Sequence, residues 1–219
     1  MITTNLFKSY FIPAQRSSKR LMIVLHGKGD SLRPFKKFNQ ELDMDNVNFL
    51  LLNAPKKFLD GYSWYGEPPY LKQGVIRIRE KLLQLLSELE TQGWKSEDIF
   101  LLGFSQGCLV SADLALHWPK KLGGVIGVSG YFEFFPYWKT RLTSKVRKTP
   151  WLFTHGHKDD VLPLAKTKEG ALKLKSVGFP VNFVELDKEH NFIDEDYPLI
   201  KNWVKNQITG NSNSFTRMN

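Results

Sequence analysis

The chain alternates between short apolar runs and longer stretches in which apolar residues recur every three or four positions. Leu21-Met22-Ile23-Val24-Leu25, Val47 to Leu52, Ile99-Phe100-Leu101-Leu102, Gly124 to Gly130 and Trp151-Leu152-Phe153-Thr154 are short and nearly continuous in apolar character. That pattern predicts strands covered on both faces. Val181 to Leu186 alternates and reads as a last strand. Between these runs, Gln73 to Gln92 carries Val75, Ile78, Leu82, Leu85, Leu86 and Leu89 on a helical repeat that Gly93 ends. Leu109, Ala112 and Leu116 mark a second helix, Thr167 to Val177 a third with Gly178 as its C′ residue, and residues 195–208 a closing one. Pro34 to Leu42 suits a short helix, and Lys56 to Pro69 reads as a loop. Asn5 to Ile12 and Arg20 to Leu25 flank a polar turn and predict an initial hairpin or two edge strands, although the apolar run from Leu21 also fits a central parallel strand. Alternating strands and helices predict an α/β fold with a mostly parallel sheet.

Composition narrows the picture. At 219 residues and 42% hydrophobic, the chain can bury one sizeable core, so residues 1–209 read as one domain and residues 210–219 as a polar, disordered tail. A single cysteine excludes an internal disulfide and a cysteine-rich metal site, which points to a reducing, cytoplasmic setting. Cys108 itself reads as a small buried hydrophobe. Met1 to Arg20 holds no apolar leader core, and no apolar run reaches membrane-span length.

The formal charge is +9, but the basic residues are scattered and no nucleic-acid-binding pattern accompanies them, so no nucleic-acid partner is expected. A lysine-rich solvated surface is the plain reading; attraction to an anionic membrane surface or an acidic partner is the other. One segment bears on that choice. Tyr131, Phe132, Phe134, Phe135, Tyr137 and Trp138 precede five basic residues and no acid between Lys139 and Lys148. Such a loop could accept an acyl chain, move as a lid or rest on lipid; the alternative is core aromatics with solvated bases.

The chemistry centres on Gly103-Phe104-Ser105-Gln106-Gly107, a G-x-S-x-G motif between the third apolar run and the second helix. By composition alone the motif arises in on the order of one chain in ten of this length. Its context, strand then sharp turn then helix, is what gives it weight. There Ser105 Oγ stands at the end of the sheet, and the N–H of Gln106 faces any oxyanion that forms. A glycine-rich turn, His26-Gly27-Lys28-Gly29-Asp30-Ser31, follows the first apolar run and can supply a second oxyanion donor, the N–H of Lys28. It lacks the G-K-[ST] ending of a phosphate-binding loop.

A serine nucleophile needs a base, and the base a carboxylate. Of five histidines, His26 and His155 each precede a glycine at a strand end and read as loop holders, His117 lies on a helix, and His157 adjoins the acid pair Asp159-Asp160. His190 follows the last strand, where the base belongs. The order Ser, Asp, His along the chain is that of an α/β-hydrolase.

Leu25-His26-Gly27-Lys28-Gly29-Asp30-Ser31, the Ser105 motif and the His-Gly-x-x-Asp…Pro run from His155 to Pro163 together resemble the phospholipase/carboxylesterase family that includes acyl-protein thioesterases. The resemblance extends from about Leu21 to the closing helix. It implies an α/β-hydrolase fold with helices on both faces of the sheet and no large cap. It also implies catalysis without metal or cofactor, on acyl esters, thioesters, lysophospholipids or acylated proteins. Carried over by position, Ser105 is the nucleophile, Asp159 the acid, His190 the base, and the N–H groups of Lys28 and Gln106 the oxyanion hole; Asp160 is the alternative acid. Trp64, in a stretch resembling the family's Ser-Trp-Phe-Asp loop, is with Tyr131 and Phe132 the candidate substrate pocket. Gly66 in that stretch, Glu189 before the base and Lys28 depart from the family pattern. The rival functional classes are a non-catalytic binding protein on a hydrolase scaffold and an anionic-lipid-surface protein.

Overall fold

A computed structural model describes residue 2, residues 4–133 and residues 138–211. Phe134, Phe135 and Tyr137 of the aromatic segment and most of the predicted tail lie outside the described residues. Among the described residues there are nine strands: β1 (Ser9–Ile12), β2 (Leu21–Leu25), β3 (Asn48–Leu52), β4 (Lys56–Phe58), β5 (Gly61–Ser63), β6 (Ile99–Phe104), β7 (Gly124–Val128), β8 (Trp151–Gly156) and β9 (Val181–Leu186). The helices are α1 (Phe38–Glu41), α2 (Leu71–Thr91), α3 (Gln106–His117), α4 (Leu164–Ser176) and α5 (Asp196–Thr209).

Seven strands form one sheet in the order β1-β3-β2-β6-β7-β8-β9. All neighbours are parallel except β1, which runs antiparallel along β3. The expected initial hairpin is therefore absent. β2 is paired on both edges, by β3 and β6 in register from Leu21, so β1 pairs instead with β3, Ser9 opposite Leu52. The stretch read as a loop from Lys56 contains a second small sheet, β4 against β5. Its strands are three residues each and carry lysine, glycine and serine, too short and polar to register as an apolar run. The short helix expected from Pro34 splits into a 3-10 turn, Pro34–Lys37, and the single turn of α1.

Side-chain alternation along the parallel strands divides the interior in two. Leu21, Ile23, Leu25, Leu50, Leu101, Val125 and Phe153 face a layer that includes the buried residues of α2, α3 and α4. Met22, Val24, Phe49, Leu102, Ile126 and Leu152 face α1 and α5. The six residues of the α2 repeat are all buried. α3 differs: all but its last residue is buried, because it lies between the sheet and both α2 and the 3-10 turn Trp138–Arg141. Trp138 and Val146 are themselves buried in that layer, so core packing anchors the basic segment at both points. Among the described residues no helix is long and apolar enough to cross a membrane.

Trp203 of α5 shows how closely this second layer is fitted. It is fully buried, donates Nε1–H to Asn182 Oδ1 at 3.0 Å, and lies where a Cβ on Gly124 would approach its ring to 2.5 Å. Trp203→Ala is expected to lower unfolding stability by about 3–5 kcal/mol through the cavity it leaves. Leu172→Ala, at a position 53% exposed, is expected to change it by less than about 0.5 kcal/mol. Urea unfolding of both variants checks the contrast.

Candidate active site

β6 ends at Phe104 and α3 begins at Gln106, so Ser105 alone makes the turn, at φ 51° and ψ −114°. A non-glycine residue at positive φ is strained and persists only where its surroundings hold it. They do so here by close backbone contact. A Cβ on Gly103 would lie 2.3 Å from Gly107 O, and one on Gly107 would lie 2.2 Å from Leu25 O. Ser105 N donates to Val128 O at 3.0 Å, tying the turn to the end of β7.

The carboxyl ends of β6, β8 and β9 bring the three predicted side chains together. Ser105 Oγ lies 2.8 Å from His190 Nε2, and His190 Nδ1 lies 2.8 Å from Asp159 Oδ2. Since the carboxylate only accepts, Nδ1 carries a proton and Nε2 is left to accept from the serine. The Asp159 side chain is fully buried and that of His190 is 15% exposed. Asp159 Oδ1 accepts from Val161 N at 3.1 Å and Leu162 N at 2.8 Å, so the turn beyond β8 aims its other oxygen at the imidazole. Asp160 is exposed.

The loop bearing His190 is clamped from below. Lys188 Nζ meets Asp196 Oδ2 at 2.7 Å with both side chains fully buried. Asp196 also accepts from Thr154 Oγ1 at 2.6 Å and Ile193 N at 3.1 Å, which joins the start of α5 to β8. Burial pushes the Lys188 ammonium down in pKa, and the carboxylates of Asp196 and Asp159 oppose the shift. The clamp has no apolar periodicity and no motif; only Lys188 and Asp196 flanking His190 hinted at it.

Of the other histidines, His26 and His155 hold loops. His26 Nε2 accepts from Ala54 N at 3.0 Å and Nδ1 donates to Gly27 O at 2.6 Å, bracing the ends of β2 and β3. His155 Nε2 lies 2.9 Å from Leu162 O and 3.1 Å from Asp159 Oδ2, both acceptors, which puts its proton on that nitrogen. Burial lowers the pKa of both. His117 Nδ1 lies 2.7 Å from Asp113 O on α3, and His157 Nδ1 lies 3.5 Å from Glu185 at the surface. Cys108 is buried, and desolvation pushes its thiol up to about 12.

Lys28 stands in the turn after β2, and Gln106 is the first residue of α3, where an N–H has no acceptor within its own helix. The Lys28 side chain is engaged elsewhere: it pairs with Glu67 and lies 4.6 Å from the Phe58 ring centroid. The Gln106 side chain has a structural part that the motif does not reveal. Its Oε1 accepts from Trp64 N at 2.7 Å and Ser63 Oγ at 3.2 Å, and its Nε2 donates to Tyr65 O at 3.1 Å, fastening the end of β5 to the elbow.

The three expected pocket residues differ in exposure: Trp64 is buried, whereas Tyr131 and Phe132 are partly exposed. Trp64 is 2% exposed and donates Nε1–H to His26 O at 2.8 Å, so it is core beneath the glycine-rich turn rather than an open wall. Phe132 packs edge-on against Phe153 with centroids 4.8 Å apart, over Gly170 of α4. Tyr131 is half-buried, its hydroxyl 2.9 Å from that of Tyr65. A cleft that opens beside His190 is lined by Phe35, Phe38, Phe104, Phe192 and Tyr197 and holds about 350 Å³. Two larger clefts, of about 650 and 840 Å³, lie toward the amino ends of the strands, away from Ser105. Among the described residues no group of three or more His, Cys, Asp or Glu side chains could hold a metal ion.

A parallel sheet flanked by helices, with serine on a strained strand-to-helix elbow, defines an α/β-hydrolase. More narrowly, the chain belongs to the phospholipase/carboxylesterase family, whose model matches residues 9–208. The carboxylesterase SOBER1 of Arabidopsis thaliana is 25% identical over 221 residues, 92% of this chain and 96% of its own. Acyl-protein thioesterase 1 of Yarrowia lipolytica is 29% identical over 220 residues, 90% of this chain and 96% of its own. A probable inactive carboxylesterase of Oryza sativa is 28% identical over 136 residues, 61% of this chain and 55% of its own. The crystal structure of Arabidopsis thaliana SOBER1 superposes with a TM-score of 0.80 at 22% identity, over 88% of this chain and 100% of that one. A Bacillus cereus carboxylesterase gives 0.80 at 16% identity, over 93% and 95%, so the fold persists where little sequence does.

Burial holds the pKa of folded His155 below 6.5, so as pH falls through that value the unfolded chain takes up this proton ahead of the folded one. Its contribution to stability is present above pH 6.5 and lost as pH falls toward its lowered folded pKa. The stability gap between the parent and His155→Asn is therefore expected to narrow from about pH 7.5 to about pH 5.5 in urea unfolding.

Proposed function

We propose that the protein is a serine hydrolase that cleaves carboxylic esters or thioesters through an acyl-enzyme. The observation that carries this reading is the continuous line from Ser105 Oγ through His190 to Asp159, two contacts of 2.8 Å, at the carboxyl end of the sheet. In this reading His190 Nε2 takes the Ser105 proton as Oγ bonds to the acyl carbon. The N–H groups of Lys28 and Gln106 hold the oxyanion. The bond to the leaving oxygen or sulfur then breaks, and His190 returns its proton to that atom. Water, deprotonated by His190, attacks the Ser105 ester; the acid departs and Oγ regains its hydrogen. Asp159 holds the imidazole in the required tautomer and stabilises the imidazolium.

Nucleophile, base, acid and oxyanion donors all come from the chain, so the reading calls on no cofactor. Relatives named carboxylesterase and acyl-protein thioesterase support acyl esters, thioesters and acylated proteins as the substrate range, and the phospholipase part of the family description supports adding lipid esters such as lysophospholipids to that reading. A cytoplasmic setting belongs to the same reading, supported by the single cysteine.

Fluorophosphonate treatment is expected to add one covalent mass to the parent protein and none to Ser105→Ala. Asp159→Asn is expected to lower kcat by about 10⁴, the cost of a misheld imidazole. Asp160→Asn, at an exposed position, is expected to stay within about threefold of the parent. Folded parent protein that gains no adduct between about pH 6 and 9 would overturn the hydrolase reading and leave a binding protein on a hydrolase scaffold.

A further inference from the structure

In the hydrolase reading, on which this inference rests, the leaving atom takes its proton from His190 Nε2, so the leaving group departs beside that imidazole. The 350 Å³ cleft opens at His190, and its walls are aromatic rings packed on one another. Phe35 meets Phe38 with centroids 4.7 Å apart at 78°, and Phe38 meets Phe192 at 5.6 Å and 74°. Phe104, whose ring lies 5.2 Å from that of His190, continues the wall to the reacting centre. These side chains converge from the turn after β2, the end of β6 and the loop before α5.

The charges on the cleft are of one sign. Asp30 and Glu41 line it, and among the described residues no lysine or arginine does. Glu41 is exposed, and Asp30 Oδ1 accepts from the N–H of its neighbour Ser31 at 2.6 Å. Burial first, and then the nearby carboxylates of Glu41, Asp194 and Asp196, push the Tyr197 hydroxyl up in pKa. The ammonium near the rings, Lys188 Nζ at 5.9 Å from the Phe192 centroid, is neutralised by Asp196. Elsewhere the balance is reversed: the chain carries +9, and the two larger clefts are rich in lysine.

A neutral leaving group would desolvate the half-buried Asp30 carboxylate with nothing in return, and an anionic one would be repelled by Asp30 and Glu41. A lysine-like ammonium is strongly hydrated and gives up much on entering an aromatic cleft. A quaternary ammonium carries its charge on an apolar shell, which suits rings and carboxylates together. We propose that this cleft is a leaving-group subsite for a compact quaternary ammonium. The favoured substrates are then acyl esters or thioesters of quaternary amino alcohols or amino thiols.

The test compares butyrylcholine with 3,3-dimethylbutyl butyrate, which has the same acyl group and shape with carbon in place of the charged nitrogen. p-Nitrophenyl butyrate reports hydrolysis in general. With each kcat/KM divided by the ester's rate with hydroxide, the choline ester is expected to be favoured about tenfold. The ratio is expected to fall in Glu41→Gln and to approach one in Asp30→Asn/Glu41→Gln. Tetramethylammonium chloride is expected to inhibit the parent more than equal sodium chloride. A parent ratio of one or less, or a tenfold ratio that survives in the double variant, overturns the subsite while turnover of the nitrophenyl ester leaves the hydrolase reading standing. No turnover of any of the three esters together with no fluorophosphonate adduct overturns both.

Discussion

The contact on which the rest of the site depends is backbone against backbone. α3 starts so close to β2 and β6 that Gly107 lies under Leu25 O and Gly103 under Gly107 O, with no room for a Cβ at either. That approach forces the chain to reverse within one residue, and Ser105 accepts the positive φ that results. The strain is held by α3, which is buried along nearly its whole length and cannot relax outward. A serine fixed in this way presents its hydroxyl at a defined point without help from its own side-chain packing. The Gln106 side chain extends the same contact to Ser63, Trp64 and Tyr65, so elbow and neighbouring hairpin form one unit.

Asp159 is the second fixed point, and it is held mainly by groups that the proposed chemistry does not use. Two backbone N–H groups orient one of its oxygens, and His155 and His190 share the other. Beneath it, the buried Lys188–Asp196 pair ties the ends of the His190 loop to β8 and α5. A buried ion pair adds little net stability over an apolar pair, but breaking one partner is costly. In the arrangement this pair closes, the loop between Leu186 and Asp196 carries the imidazole against Ser105.

The distribution of charge and aromatic side chains follows from the same architecture. The basic residues from Lys139 to Lys148 ride on a segment pinned by Trp138 and Val146, and Lys145 and Lys148 reach a cleft at the amino ends of the strands. Aromatic residues near the reacting centre come instead from α1, β6 and the loop before α5, where acidic residues accompany them. A net positive chain thus has a negative, ring-walled cleft at the carboxyl end of its sheet, and the average charge does not describe the surroundings of His190.

The sequence by itself determined the parallel strands, the long helices and the order of the candidate site residues along the chain. Each of these rests on local pattern: continuous apolar runs for strands buried on both faces, a helical repeat for α2, glycines spaced around Ser105. Ser105, Asp159 and His190 were legible because each follows a strand whose carboxyl end must face the same way in a parallel sheet. Pairing of β1 with β3 was not legible, since partner choice depends on which edges are already taken. The β4–β5 hairpin carries too few apolar residues to leave a pattern. Only the tertiary structure decided that Trp64 is core while Phe35, Phe38 and Phe192 wall the cleft, because an aromatic residue reads the same in sequence whether its ring faces a neighbour or an opening. The Lys188–Asp196 clamp was also decided there, for a buried ion pair and a solvated one use the same letters and differ only in the water around them.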